Sequence, residues 1–118
     1  NNGVALWAIG RASIHHVKIK DLNIKAMHEY GKAQHAIFIS SRSLGGKSYG
    51  PANLPGNINH IKVTNISGDG RHLIVIGNPV ADSKFKKGKF SGNGEMIYYD
   101  IPEDSLTHVK FRNIDSVK

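Results

Sequence analysis

The sequence predicts an all-β fold, a right-handed parallel β-helix (a solenoid) of about four coils, on three observations. One ten-residue pattern is written three times: SIHHVKIKDL at 13–22, NINHIKVTNI at 57–66 and SLTHVKFRNI at 105–114. Short apolar runs bounded by Gly, Asn, Ser or Asp alternate with these copies. The ninth position of each copy is Asp21, Asn65 or Asn113, residue types that tolerate the left-handed backbone a corner demands. Repeats on this scale stack in one dimension, because one unit alone cannot bury its apolar face. Two short strands per repeat, with an Asn-tolerant corner, read as the coil of a β-helix.

The elements follow in strict alternation. VALWAI at 4–9 is too short for a helix and has the flanks of a strand. The first ten-residue copy, 13–22, comes next. AIFI at 36–39 is the second apolar run, followed by the second copy at 57–66. LIVI at 73–76 precedes a looser fourth copy, KFKKGKFSGN at 84–93, in which Phe85 and Phe90 keep the interval of Ile14 and Ile19. MIYY at 96–99 then leads to the last copy at 105–114. The interval from Ile14 to Ile58 is 44 residues, against 27 from Ile58 to Phe85 and 21 from Phe85 to Leu106. The excess lies at 25–34 and 41–57, which lack apolar periodicity; the second is rich in Gly, Pro, Ser and Asn. Both read as loops inserted between coils of one domain, 1–118.

Composition fits one small folded domain. The 118 residues are 39% hydrophobic, lean but sufficient for a single core. No stretch is long and apolar enough for a membrane span. The absence of cysteine excludes a disulfide framework and thiol nucleophiles. A β-helix needs its open ends capped, and these residues begin in a strand and stop just after one, so the chain is expected to be a segment of a longer β-helix.

The net charge of +7, with seven histidines uncounted, is organised by the repeat. Lys18, Lys62, Lys89 and Lys110 fall at one position, and His16, His60 and His108 two residues earlier, with Lys87 in the fourth copy. Stacking makes these into columns of cations, either a solvated face or a stripe for anions such as acidic sugars or lipopolysaccharide. No nucleic-acid-binding motif accompanies the charge. On the short strands, if Leu6, Ile37, Ile74 and Ile97 point inward, then Trp7, Phe38, Val75 and Tyr98 form an outward column. Aligned exposed aromatics suit a polysaccharide groove, the cover of loop 41–57, or a subunit contact. A groove would place Arg42, Lys47 and Tyr49 of that loop beside Trp7, Phe38 and Tyr98 as substrate-binding residues. Asp69 and Glu95 precede consecutive short strands and are the best available acid/base pair. No metal-ligand spacing occurs, and no cofactor is implied.

At this point the chain resembles a family, the β-helical polygalacturonases and their relatives in the pectin-lyase-like superfamily. Asn1-Asn2-Gly3-Val4-Ala5-Leu6-Trp7 is similar to that family's D-D-C-[VI]-A-[IL]-K strand. His35-Ala36-Ile37-Phe38-Ile39-Ser40, with Ser43-Leu44-Gly45-Gly46 following, resembles G-H-G-[IL]-S-I-G-S-L-G, and 57–66 and 105–114 resemble N-I-x-[FV]-x-N-[IV]. The resemblance implies a glycoside hydrolase β-helix and makes His35 a catalytic candidate. It also marks departures. Asn1 and Asn2 stand where the family has carboxylates, and Val75 and Gly77 where it has an Arg-x-Lys pair. Asparagine neither donates nor accepts a catalytic proton.

Two classes of function follow. One is a segment of a carbohydrate-active protein that binds or cleaves an acidic extracellular polysaccharide, as hydrolase or lyase. The other is a receptor-binding or structural β-helix, such as part of a phage tailspike, that recognises surface glycan as a homotrimer. Both expect a place outside the cell or on a virion surface.

Overall fold

A computed structural model describes residues 2–8, 12–25, 35–40 and 56–117. The described residues form eight strands: β1 (Asn2–Trp7), β2 (Ser13–Ile24), β3 (His35–Ser40), β4 (Asn57–Gly68), β5 (His72–Gly77), β6 (Val80–Phe90), β7 (Ile97–Tyr99) and β8 (Leu106–Ser116). Among the described residues the only helical turn is a 3-10 turn at Glu103–Ser105. No helix of the described residues is long and apolar enough to cross a membrane. The fold is all-β.

The odd strands form one four-stranded parallel sheet, ordered β1-β3-β5-β7, and the even strands another, ordered β2-β4-β6-β8. The chain therefore lays a strand on one sheet, crosses to the other, and returns beside its previous strand. Core residues come from both sheets: Ile37, Ile39, Ile74 and Ile76 from the first, and Ile58, Ile61, Val63, Ile66, Phe85 and Phe90 from the second.

The ten-residue pattern has a backbone cause. In β4 the buried apolar residues are Ile58, Ile61, Val63 and Ile66, spaced by three, two and three. A plain strand would space them by two throughout. The extra residue at each end of the series is a left-handed one, His60 (φ 53°) and Asn65 (φ 60°). The same pair recurs as His16 and Asp21, Asp82 and Lys87, and His108 and Asn113, all with φ between 50° and 60°. Each left-handed residue bends the strand and resets which side chains face inward, as a bulge does. The corner expected at Asp21, Asn65 and Asn113 is thus present, and a second one lies at the histidines. Asn65 Nδ2 donates to Asp21 Oδ1 at 2.8 Å, so at this corner an amide and a carboxylate link two neighbouring strands.

Two registers differ from the sequence expectation. In the fourth copy Val80 pairs with Ile58 and Leu106, and Phe85 with Val63 and Phe111. Phe85 therefore stands at the Ile19 position, not that of Ile14. Lys84 rather than Lys89 completes the lysine column, Asp82 rather than Lys87 the histidine column, and Lys87 takes the corner. The copy is hard to see because Ser83 and Gly88 occupy inward positions. Ser83 is 1% exposed, and its hydroxyl accepts the Ile61 N–H at 3.1 Å while donating to the Ala81 carbonyl. At Gly88 a Cβ would stand 3.0 Å from Ile114 Cγ2 and 3.1 Å from Leu73 Cδ2, which already fill the space.

On the first sheet the register is Val4–Ile37–Ile74–Ile97, then Ala5–Phe38–Val75–Tyr98, then Leu6–Ile39–Ile76–Tyr99. Trp7 pairs with Ser40, which pairs with Gly77. Phe38, Val75 and Tyr98 share a column as expected, but Ala5 stands where Trp7 was placed. Trp7 lies two residues along, so it keeps the same face in the next column.

A buried amide ties the two sheets near the second loop. Asn78, fully buried between β5 and β6, accepts from Gly56 N at 3.1 Å and donates to the carbonyls of Gly56 at 3.2 Å and Pro79 at 2.8 Å.

Candidate functional site

The outer face of the first sheet carries a shallow depression of about 240 Å³ lined by His35, Phe38, Arg71, His72, Val75, Tyr98 and Asp100. Strand β3 contributes His35 and Phe38, β5 contributes His72 and Val75, β7 contributes Tyr98, and the adjoining turns supply Arg71 and Asp100. The parallel registers bring these residues, far apart in sequence, within one or two strand spacings of each other.

Five rings run continuously across this face. Trp7 meets Phe38 edge-on at 6.3 Å between centroids. Phe38 stacks on His35 at 5.7 Å, His35 on His72 at 5.3 Å, and His72 on Tyr98 at 4.8 Å. Offset and edge contacts of this kind each add about 0.5–1.5 kcal/mol beyond simple burial. The result is a preformed row of rings whose stacked faces are turned toward one another, with Tyr98 at its open end, 39% exposed.

The two histidines differ in their surroundings. His72 is buried, and its Nδ1 donates to the Glu95 carbonyl at 2.5 Å. His35 is pushed down to a pKa of about 4, first by burial and then by the neighbouring His72. It is uncharged at neutral pH. The His35 Nδ1 and the Trp7 Nε1 are buried and, among the described residues, lack a hydrogen-bond partner.

The candidates named from sequence fall into three groups. His35, Phe38 and Tyr98 line the depression, and Trp7 flanks it through Phe38. Asp69 and Glu95 are not among the residues that line it. Asp69 sits in the turn between β4 and β5, and Glu95 offers the site its main-chain carbonyl while its side chain is exposed. Asn1, Arg42, Lys47 and Tyr49 lie outside the described residues; Asn2 pairs with His35 in the ladder. Sequence reasoning missed Arg71 and His72, and it passed over Asp100, a carboxylate near the short strands, in favour of Asp69 and Glu95. The signal for His72 was its equivalence to His35, two histidines each opening a short apolar strand.

Chemically, the depression joins aromatic rings to one cation, Arg71, and one carboxylate, Asp100. Among the described residues no group of three or more His, Asp or Glu side chains is placed to hold a metal ion. Comparison with protein-family models, curated proteins and solved structures finds no match.

Proposed function

We propose that the chain is a segment of a right-handed parallel β-helix, about four coils long, that binds an acidic extracellular polysaccharide on the outer face of its odd-numbered sheet. The observation that carries this reading is the continuous row of rings Trp7, Phe38, His35, His72 and Tyr98. The exposed ring of Tyr98 at the end of the row takes the C–H face of a sugar, and a row held by a parallel sheet is pre-organised, so little side-chain freedom is lost on binding. Arg71 supplies a planar donor fork for a uronic carboxylate, and Asp100 accepts from sugar hydroxyls. The resemblance of the strand opened by His35 to the corresponding strand of the polygalacturonases supports the same face. Glycoside hydrolysis by general acid and base uses two carboxyl groups. Among the described residues Asp100 is the one that lines the depression, so the reading is of recognition, with cleavage assigned to no residue here.

The test is calorimetric titration of Trp7→Ala and Tyr98→Ala with oligogalacturonates and capsular oligosaccharides. Each substitution is expected to cost about 1 kcal/mol of binding. Unchanged glycan affinity, with loss of an oligomer in the same variants, would show instead that the rings form a subunit contact, as a trimeric tailspike-like protein would use them.

A further inference from the structure

The even-numbered sheet presents a second surface, and its pattern is set by the backbone. Between the two left-handed residues of each even strand lie four residues, which alternate inward and outward. In β2 these are Val17, Lys18, Ile19 and Lys20, with the lysines outward and Ile19 buried. The outward positions stack into two rows, Lys18–Lys62–Lys84–Lys110 and Lys20–Thr64–Lys86–Arg112. Seven of the eight positions are cationic and the eighth is a threonine hydroxyl. None is acidic, although the chain carries nine carboxylates. Among the described residues none of the seven is held in an ion pair; the His108–Asp82 contact at 3.5 Å belongs to the neighbouring corner.

The rows have a repeat of about 4.8 Å along the stack and stand roughly 6.5 Å apart, the two lengths a parallel sheet imposes. Between them the surface is depressed. A hollow of about 110 Å³ opens at the middle strands, lined by Lys62, Val63, Thr64, Lys84 and Lys86. Like charges at this spacing repel, and an anion laid between the rows relieves them all at once.

We propose that this trough is a second glycan site, which takes a linear polyuronate lying across the strands with its carboxylates spread to the two cation rows. One sugar of an extended polyuronate is close to one strand spacing in length, so successive carboxylates meet successive strands. The eight outward positions contain no aromatic side chain. A single-stranded nucleic acid would find no ring within the trough on which to stack its bases, the stacked His16 and His60 standing at the corner outside it, and a lipid surface no apolar anchor. The inference takes its ligand class from the preceding reading but not its site.

The experiment compares the whole chain with Lys84→Gln/Lys86→Gln, which removes the cations on both sides of the trough at one strand, and with Lys25→Gln/Lys89→Gln, which removes equal charge elsewhere. Each is titrated with oligogalacturonate and with its fully methyl-esterified, uncharged form, at several salt concentrations, after thermal melting confirms an intact fold. The trough variant is expected to bind the free acid about tenfold more weakly, with a salt slope shallower by about two. The charge-matched control should lose less than threefold, and Lys84→Arg/Lys86→Arg should keep wild-type affinity. Equal losses in both Gln variants would reduce the effect to net charge and overturn the proposal. So would tighter binding of an oligonucleotide, lost in the trough variant alone. Tyr98→Ala separates the two faces: if it abolishes binding of both polymer forms while the trough variant loses none, the ring face stands and this site falls. If the trough variant alone loses the free acid and Tyr98→Ala changes nothing, the reverse holds.

Discussion

Burial of His35 between Phe38 and His72 disfavours its protonated form and holds the imidazole at a pKa of about 4, against 6.5 when free. The unfolded chain therefore binds more protons at this residue between those two values, and stability rises with pH across that window. The contribution is complete above about pH 6.5 and is lost as pH falls toward 4. Replacing His35 with Phe keeps a ring in the row and removes the titration. Thermal melting from pH 7 to pH 4 should then show a shallower loss of stability in His35→Phe than in the parent chain; identical profiles would mean that His35 is solvated. The sequence marked His35 through a family resemblance and placed Asp100 among the carboxylates near the short strands, yet Arg71 went unmarked. Arg71 and Asp100 flank the strands in turns, and only the register of β5 and β7 brings them to one depression.

The left-handed corners govern the even strands. Seven of the eight described corner residues are His, Asp or Asn, types enriched in that conformation, and the eighth is Lys87. A lysine there carries a backbone cost on the order of 1 kcal/mol, and it interrupts the Asp21–Asn65–Asn113 column. Lys87→Asn should raise the unfolding free energy by about 1 kcal/mol in denaturant titration, whereas an unchanged or lower value would contradict the corner assignment. At this scale three copies of the pattern were legible because their inward positions are all apolar. The fourth was misplaced because Ser83 and Gly88 break the pattern, and Phe85 and Phe90 imitate it at a shifted position. The placement of Trp7 failed for a different reason. Alternation fixes the face of a side chain but not its column, since a two-residue shift leaves every residue on the same side of the sheet.

As a whole, the molecule is two parallel sheets around a shared core, with extents of 40 × 32 × 22 Å and different chemistry on each outer face. The odd sheet offers rings with one cation and one carboxylate; the even sheet offers two rows of cations around a trough. The all-β class was legible from the repeat, because stacking demands the same inward pattern on every strand. The site was legible only in part, because its lining residues come from three strands and two turns. Trp7 is the chain's sole tryptophan and stands at one end of the ring row, so its emission reports on that face alone. The most direct measurement is tryptophan fluorescence of the unmodified chain during titration with oligogalacturonate. Occupation of the ring face predicts a saturable shift of Trp7 emission at the concentrations where calorimetry finds binding, diminished in Tyr98→Ala. Full binding by calorimetry with no change in Trp7 emission would place the polysaccharide elsewhere and contradict the account.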